Sequence, residues 1–337
     1  MPPKIRIKDI AKELGVSSAA VSLALNNKSG VSSDLKARIV SHAAKSGYIQ
    51  NAGSLKSDYV AVVYDISEGL VPLNIEITQT LKKNGFFELR YAFYSDELLD
   101  DEKQRIYFNK ITDEDSVAGL IIVALNISEL LLNRLLNKNI PIVLVNCKSK
   151  HNLGININID DELGGYLAAK KLIELGHRNI GLILPDVSYD NVWNERKAGY
   201  KNALLESGLK YNIDYLEPEN TFTVEEAGKA TMNLVRRHPE LTAIIYVTDL
   251  QAVGGMRAMK QNGIKIPDDI SVIGFDNSKY CELVTPTLSS AELHLKKIGS
   301  LASEMLLKAM RENNKHSESI IMRPEIILRD SCRSLVK

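Results

Sequence analysis

The chain opens with two short amphipathic segments whose apolar positions follow a helical period. Ile10, Ala11 and Leu14 share one helical face at i, i+1 and i+4 spacing. Gly15 follows them and can take the positive φ of a tight turn, because it has no Cβ. Ser17 then stands at the start of a second apolar stripe, where its side chain can cap a helix. The pattern predicts two helices joined by a turn.

The second of these helices can present short side chains to the major groove of DNA. Val16 and Val21 supply its inner face. The outward or flanking positions are Ser18, Ala19, Ser22 and Leu23. A second helix with small residues at its start can enter the groove and reach base edges, so the segment predicts a helix-turn-helix. The alternative is a helix pair within an ordinary domain, since such pairs are common.

A third helix and a polar linker complete this N-terminal unit. Residues 31–48 predict the helix, with Ser32 as its cap and Gly47 as its terminator. Its apolar stripe consists of Leu35, Ile39, Ala43 and Ala44. Residues 49–58 are polar and rich in small side chains, which is typical of a linker.

From Tyr59 onwards, short apolar runs alternate with amphipathic helices. The strand candidates are 59–64, 89–93, 119–123, 141–146, 179–184, 242–247 and 270–275. The helical stretches between them include 129–138, 162–175, 196–207 and 224–237. Strands that are apolar on both faces and separated by helices predict parallel sheets covered on both sides. The number of strands indicates two doubly wound lobes, which usually bind a ligand in the cleft between them.

Charge is distributed unevenly along a chain whose formal net charge is zero. Residues 1–58 contain nine Lys and Arg against four acids, and the remaining residues contain 33 against 38. A head of net charge +5 therefore precedes a body of net charge −5. Phosphate neutralisation provides the sequence-independent part of DNA affinity, so the basic head supports DNA binding, although such a bias is usually only a solvated surface.

Length and composition limit the classes of protein to which the chain can belong. The 337 residues allow two or three cores, and 45% hydrophobic with 25% charged residues is typical of soluble globular proteins. No segment approaches the roughly 18 consecutive apolar residues of a membrane helix, and the first residues lack the apolar core of a signal peptide. The cysteines Cys147, Cys281 and Cys332 are far apart and odd in number, which favours buried thiols. We therefore predict a cytoplasmic protein.

The sequence contains no motif that requires catalysis. The P-loop, GxSxG, HExxH and CxxC motifs are absent, and the glycine pairs at 164–165 and 254–255 lack the GxGxxG pattern. We predict that the protein is not an enzyme and needs no metal or cofactor. His177 stands where a helix ends, so we expect a cation that offsets the helix dipole.

Several segments match one known pattern in order and spacing. The N-terminal segment is IKDIAKELGVSSAAVSLALNNKSGVSSDLKARIVSHAAKSGYIQN. The body contributes VAGLIIV (117–123), IPIVLVN (140–146), IDDELGGYLAAKKLIELGHRNIGLI (159–183), ERKAGYKNALLESGL (195–209), DDISVIGFDN (268–277), TPTLSS (285–290) and LRDS (328–331). On these segments, the chain resembles the LacI–GalR family of bacterial transcription regulators over essentially its whole length.

The resemblance implies an α/β protein in which a three-helix helix-turn-helix head precedes two doubly wound, periplasmic-binding-protein-like lobes. It divides the chain into a head of residues 1–49, a shortened hinge linker of 50–58, an N-terminal lobe of 59–158 and 291–319, and a C-terminal lobe of 159–290 and 320–337. It also implies a homodimer on a near-palindromic double-stranded DNA operator. A small effector, commonly a sugar, is expected in the cleft between the lobes.

The head departs from the family at one DNA-contacting position. The residues that we assign to DNA contact are Lys8, Ser17, Ser18, Ala19, Ser22, Leu23, Asn26 and Leu55. Leu23 stands where arginine is frequent in the family. Leucine cannot donate a hydrogen bond to guanine, so we expect an apolar contact there, for instance with a thymine methyl group.

The hinge departs as well. Gln50 replaces the proline that the family usually carries, and roughly three residues are missing from residues 50–58. Leu55 is the candidate that could wedge into the minor groove, and Gly53 weakens a helix there by about 1 kcal/mol relative to alanine. Insertion of a leucine and the accompanying kink in DNA are therefore in doubt.

The resemblance also assigns effector contacts, namely Asn146, Trp193, Arg196, Phe222, Asp249 and Asp276. The guanidinium of Arg196 suits adjacent hydroxyls or a carboxylate through paired donors, and Asp276 can accept from hydroxyls. Phe222 offers a ring to the C–H face of a sugar. Asn146 stands where aspartate is common, and the residue before Asp249 is a threonine where asparagine is usual.

Each of these assignments has a structural alternative. Arg196 and Asp276 could instead form an internal ion pair, since such pairs are common. Phe222 could be core, the commonest fate of phenylalanine, and Trp193 could fill a gap. Residues 65–76 lack the paired aromatics of the family, which predicts an atypical effector.

We predict a sequence-specific transcription regulator, most simply a repressor, that a sugar or sugar derivative controls. The alternative is a cytosolic small-molecule binding protein whose head binds DNA weakly or non-specifically. The short hinge and Leu23 motivate that alternative.

Overall fold

A computed structural model describes residues 6–25, 30–45, 58–65, 68–93, 101–114, 117–138, 140–147, 153–185, 192–219, 221–312 and 317–336. The α-helices within these ranges are α1 (Ile7–Leu14), α2 (Ser18–Leu25), α3 (Ser33–Lys45), α4 (Val71–Lys83), α5 (Asp101–Asn109), α6 (Glu129–Asn137), α7 (Asp161–Glu174), α8 (Val192–Glu206), α9 (Val224–Arg237), α10 (Asp249–Gln261), α11 (Tyr280–Leu283) and α12 (Leu295–Glu312). The strands are β1 (Tyr59–Asp65), β2 (Phe87–Phe93), β3 (Gly119–Val123), β4 (Ile142–Val145), β5 (Ile155–Ile159), β6 (Ile180–Leu184), β7 (Leu216–Pro218), β8 (Ala243–Tyr246), β9 (Ser271–Phe275), β10 (Ser289–Glu292), β11 (Glu318–Met322) and β12 (Glu325–Ile327).

Helices α1 to α3 form the N-terminal head around a small apolar core. The buried core residues are Ile10, Ala11, Val21, Ala24, Ile39 and Ala43. Gly15 ends α1 with a φ of 65°, which confirms the turn predicted from its lack of a Cβ. The amide of Ala20 donates to Ser17 Oγ at 3.0 Å, and that of Leu35 donates to Ser32 Oγ at 3.3 Å. Both predicted caps are therefore present.

The body consists of two sheets, as the alternating pattern predicts. The first has the order β11-β5-β4-β3-β1-β2, and every neighbouring pair is parallel. The second has the order β12-β10-β9-β8-β6-β7 and is parallel except for the antiparallel pair of β10 and β12. Helices α4 and α12 pack on the first sheet's lobe, and α7 to α10 belong to the second.

All seven strands predicted from apolar runs are present, with ends within two residues. Five short strands escaped prediction because buried polar residues interrupt their pattern or because they are brief: β5, β7, β10, β11 and β12. In β5, Asn156 is fully buried, and its side-chain amide donates to the carbonyls of Leu153 and Gly154 at 3.0 and 3.1 Å. Such hydrogen bonds make burial of the polar side chain tolerable.

The chain crosses between the lobes at Asp160, at residues 293–294 and at residues 323–324. Ile159 pairs within the first sheet, and Ala291 and Glu292 pair within the second, so the first two expected boundaries are displaced by one and two residues. The expected third boundary, between residues 319 and 320, falls inside β11. All of β11 pairs in register with β5, so residues 320–322 belong to the first lobe's sheet. The expected hinge, apart from Asp58, lies outside the described residues.

Helices α7 and α8 approach so closely that only glycine fits at their contact. A Cβ added to Gly165 would lie 2.0 Å from the carbonyl oxygen of Arg196. A Cβ added to Gly199 would lie 1.8 Å from the carbonyl oxygen of Glu162. Neither overlap is tolerable, so the two backbones are in direct contact. This contact sets the position of the first turns of α8 against the start of α7.

His177 is not the exposed helix-end cation that its position predicts. The residue is only 1% exposed. Its ring nitrogens lie 2.9 Å from Thr242 Oγ1 and 3.2 Å from the carbonyl oxygen of Arg333. Burial lowers the pKa of His177, so the ring is neutral. Its contacts with Thr242 and Arg333 hold the C-terminal segment against the second lobe, and we call this arrangement the His177 clamp. Burial and the nearby charge of Arg333, which the fold brings to the ring, outweigh the helix dipole.

We expect this clamp to make stability sensitive to acid. The folded-state pKa of His177 lies below its unfolded value, so its contribution is complete above about pH 6.5 and is lost as the pH falls through the folded pKa. His177→Gln should therefore flatten the decline in unfolding free energy between pH 7 and pH 5 in urea titrations. His238→Gln, in the same lobe, is the matched control. An unchanged slope in H177Q would contradict the neutral clamp.

Candidate functional site

The cleft lies at the carboxyl ends of the parallel strands, where loops project towards the other lobe. Asp276 directly follows β9, with an unusual φ of 99°. Across the cleft, the short 3-10 helix Glu68–Leu70 precedes α4 of the first lobe. A Cβ added to Gly69 would lie 2.8 Å from Asp276 Oδ2. The half-buried carboxylate of Asp276 therefore reaches across to the first lobe.

Arg196 lies on α8 and is only 4% exposed. Its Nε donates to Asp161 Oδ1 at 2.7 Å, and its Nη1 donates to the carbonyl oxygen of Val247 at 2.5 Å. The guanidinium carbon lies 4.9 Å from the ring centroid of Trp193 and 4.4 Å from that of Phe275. Two rings and two hydrogen bonds therefore hold the cation in one orientation.

Arg196 does form an internal ion pair, but with a different acid from Asp276, which was the alternative that the sequence left open. Asp161, at the first position of α7, is 1% exposed and supplies the partner carboxylate. Sequence reasoning missed Asp161, because the segment IDDEL resembles an ordinary helix start in which acids favour the dipole. Its second oxygen, Oδ2, is buried and has no hydrogen-bond donor among the described residues.

Two aromatic residues lie together beside this pair. The ring centroids of Trp193 and Phe222 are 5.4 Å apart at an interplanar angle of 38°, and both side chains are half-buried. Phe222 has a φ of 54°, which is uncommon for a bulky residue. Its amide donates to both carboxylate oxygens of Glu219 at 3.1 Å, and Gln251 Nε2 also donates to Glu219 at 2.6 Å. Buried Glu219, which the sequence did not single out, thus holds Phe222 in place.

Two of the residues expected to contact the effector form hydrogen bonds within the fold. Asp249 is 1% exposed and accepts from the amide of Ser278 at 2.6 Å and from Ser290 Oγ at 2.6 Å. Asn146 Oδ1 accepts from the amide of Ile159 at 3.3 Å. The structure therefore shows both side chains organising backbone that borders the cleft. Burial raises the pKa of Asp249, and the bonds from Ser290 and Ser278 oppose this.

The electrostatic surroundings of Asp276 are predominantly negative. Burial raises the pKa of Asp276 well above its ordinary value, and the charge of Asp249 adds to this. Arg196 acts in the opposite direction, while Asp161 and Glu292 raise the pKa further. One guanidinium therefore faces several carboxylates.

A polar network connects the residue after Asp276 to the second crossing between the lobes. Asn277 Nδ2 donates to Glu292 Oε2 at 2.7 Å, and Arg329 Nη2 donates to Asn277 Oδ1 at 2.7 Å. The other oxygen of Glu292 accepts from the amide of His294 at 2.6 Å, within the crossing itself. Sequence reasoning missed this role of Asn277, although the residue stands in the GFDN segment. The loop that carries Asp276 is thus tied to the chain that links the lobes.

Most of the residues that we assign to DNA contact lie within the described part of the head. Lys8, Ser18 and Ala19 are exposed, whereas Ser22 and Leu23 are half-buried. A Cβ added to Gly30 would lie 3.3 Å from Leu23 Cδ1, so the side chain of this leucine points towards Gly30. The exposed surface of α2 therefore carries short side chains. Asn26 and Leu55 lie outside the described residues.

No described helix combines the length and apolar character needed to cross a membrane. Within the same ranges, no cluster of three His, Cys, Asp or Glu residues is arranged to hold a metal ion.

Two family models match the chain in the order of its head and body. The model for bacterial regulatory proteins of the lacI family matches residues 6–51. The model for a periplasmic binding protein-like domain matches residues 169–332.

Individual proteins are similar to this chain over most or nearly all of its length. The HTH-type transcriptional repressor PurR of Photobacterium profundum is 28% identical, with 98% of this chain and 99% of that protein covered. The HTH-type transcriptional regulator DegA of Bacillus subtilis is 29% identical, with the same coverage of 98% and 99%. The crystal structure of a LacI family transcriptional regulator from Enterococcus faecium with bound ribose has a TM-score of 0.71 at 25% identity, covering 82% of this chain and 99% of that one.

The pair of Arg196 and Asp161 should be strongly coupled in stability. Removing either partner leaves a buried charge without compensation, so Asp161→Ala and Arg196→Ala should each cost about 3–5 kcal/mol of unfolding free energy. The double variant should lose less than the sum of the two, by more than about 1 kcal/mol in urea unfolding.

The matched control is the pair of Glu226 and Lys229, which lie 2.6 Å apart on the surface of α9. Their side chains are 43% and 58% exposed, so the same cycle should give a coupling below about 1 kcal/mol. Additive losses at Asp161 and Arg196 would show that the buried pair is not an energetic unit.

Proposed function

The chain belongs to the LacI family of bacterial regulatory proteins, and we propose that it is a repressor whose operator binding is controlled by a sugar or sugar derivative. It is a DNA-binding transcriptional regulator and not an enzyme, with a periplasmic-binding-protein-like domain for a small effector. The observation that carries the effector proposal is the contact of Arg196 with Trp193 and of Trp193 with Phe222, together with the carboxylate of Asp276 at the end of β9. Aromatic faces and paired polar groups are what a sugar needs.

The head supports sequence-specific recognition of double-stranded DNA. The surface of α2 exposes Ser18 and Ala19, and small side chains allow a close approach to base edges. The net charge of +5 over residues 1–58 supplies affinity for phosphates. We propose residues 1–49 as the DNA-binding domain and 50–58 as the hinge that joins it to the lobes.

A homodimer is supported by apolar side chains that the single chain leaves exposed. On the first lobe, Tyr59 and Phe87 are 44% and 63% exposed, with ring centroids 5.7 Å apart. Val71 and Ile75, on α4, are each 48% exposed. Tyr59 and Phe87 begin β1 and β2, whereas Val71 and Ile75 lie at the start of α4, and exposed apolar side chains of either kind are available to a subunit interface. Two heads related by twofold symmetry would then read a near-palindromic operator.

The effector would act by changing the closure of the two lobes, and thereby the spacing of the heads. It can shift that equilibrium only through different affinities for the two states. The contact between Asp276 and Gly69 offers one interaction that depends on closure. The cytoplasm, where DNA and free thiols are found, is the compartment that we propose.

We expect Arg196→Ala to abolish the response to effector while operator affinity stays largely unchanged, because the residue lies in the cleft and not in the head. The effector would first be found by thermal-shift screening of sugars, sugar phosphates and nucleosides. Gel shifts with and without it then measure the response. Because R196A also unpairs Asp161, Phe222→Leu serves as a second variant that keeps the ion pair. Lys197→Ala, one position along α8, is the matched control.

Loss of operator affinity in R196A and full retention of the response in F222L would together contradict the proposed site. The DNA side is tested separately by salt-titrated gel shifts against genomic fragments. Specific complexes should persist over competitor DNA, whereas non-specific binding fades steeply as salt rises. Fading of every complex would instead support a small-molecule binding protein.

Leu23→Arg should change base preference at one step in each half-site. Arginine can donate two hydrogen bonds to guanine, whereas leucine offers only apolar contact, so the change should favour guanine by about 1–3 kcal/mol. Selection from a randomised operator library measures this preference. Lys12→Arg, on the exposed side of α1, is the control that should leave the preference unaltered. An unchanged profile for L23R would place the recognition surface elsewhere.

A further inference from the structure

We propose that Asn277 fixes the conformation of the second crossing between the lobes, at residues 293–294, and thereby stabilises the closed arrangement in which Gly69 lies against Asp276. This inference rests on the proposed function, because it concerns the movement through which an effector would act. It goes beyond that function by naming the residue that sets the balance between closed and open lobes. Only contacts between described residues are needed, and the identity of the effector does not enter.

The loop after β9 is fixed on the second lobe by its backbone. The amide of Asp276 donates to the carbonyl oxygen of Ala291 at 3.0 Å, and that of Asn277 donates to Ser290 Oγ at 3.0 Å. Both acceptors belong to β10. Asn277 has a φ of 48°, a left-handed conformation that asparagine adopts more readily than most residues. The side-chain amide of Asn277 therefore projects from a firmly held backbone.

The two ends of this amide bind chain segments beside two different crossings. Nδ2 of Asn277 donates to Glu292 Oε2 at 2.7 Å, just before the second crossing. Oδ1 accepts from Arg329 Nη2 at 2.7 Å, shortly after β12, the strand that follows the third crossing. A glutamate carboxylate only accepts and an arginine only donates, so an amide in this one orientation satisfies both. A carboxylate in its place would keep the bond from Arg329 and repel Glu292.

Glu292 in turn holds the hinge residue His294. Glu292 Oε1 accepts from the amide of His294 at 2.6 Å. His294 has a φ of 58°, a left-handed conformation that persists in a residue other than glycine only where its surroundings impose it. Its carbonyl oxygen accepts from the amide of Ile298 at 3.0 Å, within the first turn of α12. The conformation of His294 therefore sets the direction of α12 relative to β10.

Helix α12 belongs to the first lobe and is in direct contact with α4. A Cβ added to Gly299 would lie 2.6 Å from the carbonyl oxygen of Leu73, so the two backbones touch. Helix α4 follows the 3-10 helix Glu68–Leu70, which contains Gly69. Packed helices therefore connect His294 to the place where Gly69 meets Asp276. Hinges absorb changes of φ and ψ at a few residues between rigid elements, so a change at His294 would move Gly69 away from Asp276.

Loss of the bond between Asn277 and Glu292 should therefore favour open lobes. Asn277→Asp replaces the donor with a like charge, so Glu292 is no longer held beside the amide of His294. Other values of φ then become accessible at the hinge, and the closed arrangement loses population. Substitutions along a physical connection of this kind change coupling by about 2- to 30-fold. The ratio of closed to open lobes should fall at least about threefold.

The test measures this ratio by double electron–electron resonance on the full-length protein without added ligand. Leu130→Cys and Glu225→Cys place spin labels on exposed first turns of α6 and α9, one on each lobe at the cleft end of its sheet. Cys332→Ser removes the half-buried native thiol, whereas Cys147 and Cys281 are buried and do not react. Dilution with unlabelled protein removes distances between subunits.

We expect Asn277→Asp to lower the ratio of the short to the long distance at least about threefold. Adding Glu292→Gln should restore the ratio, because the introduced amide can donate to the introduced carboxylate while its oxygen still accepts from His294. Asn202→Asp is the matched control. Asn202 Nδ2 donates to Glu162 Oε1 at 2.8 Å on the exposed surface of α7 and α8, and its loss should leave the ratio unchanged. An unchanged or higher ratio in N277D, or a fall that E292Q does not restore, would overturn the role of Asn277.

Operator affinity separates this inference from the proposed function. The same variants are titrated in gel shifts with the operator fragment that library selection recovers. If lobe closure controls the heads, N277D should change operator affinity without any ligand, and the added E292Q should restore it. A shifted distance ratio with unchanged operator affinity would leave the role of Asn277 intact and contradict effector control through lobe closure.

Discussion

The direct backbone contact between α7 and α8 determines the geometry of the cleft. Gly165 and Gly199 allow the two helices to meet where any Cβ would overlap a carbonyl oxygen. This approach brings Arg196 of α8 onto Asp161, the first residue of α7. The guanidinium is then held between the rings of Trp193 and Phe275. Without the two glycines, the ion pair and the aromatic arrangement built on it would be displaced together.

Most carboxylates near the cleft accept hydrogen bonds that hold loops of the protein in place. Asp249 holds the loop after β9, Glu219 holds Phe222, and Glu292 holds the second crossing. Each accepts hydrogen bonds from backbone amides, which makes a buried or half-buried acid tolerable. Asp276 has no such donor among the described residues, so it is the acid that we propose to contact a ligand. Its neighbour Asn277 joins the same loop to the crossing between the lobes.

The head and most of the buried parallel strands were predictable because local patterns specify them. Gly15, Ser17 and Ser32 have local roles in turns and caps, and the structure confirms all three. The apolar runs of the parallel strands were equally clear, since such strands are buried on both faces. Strands β5 and β10 were missed because Asn156 and Ser290 make them look polar. Asn156 donates to carbonyls just before its own strand, whereas Ser290 donates to Asp249, which lies 41 residues away.

The amino-acid sequence by itself determined the helix-turn-helix and the two parallel-sheet lobes, because these follow from periodicity and from turn chemistry, and its family motifs proposed the cleft residues. Only the tertiary structure decided which of those residues face one another. It paired Arg196 with Asp161 and not with Asp276, and it turned His177 from an expected cation into a neutral clamp. Both outcomes depend on burial and on partners far away in sequence, and no local pattern records either of them.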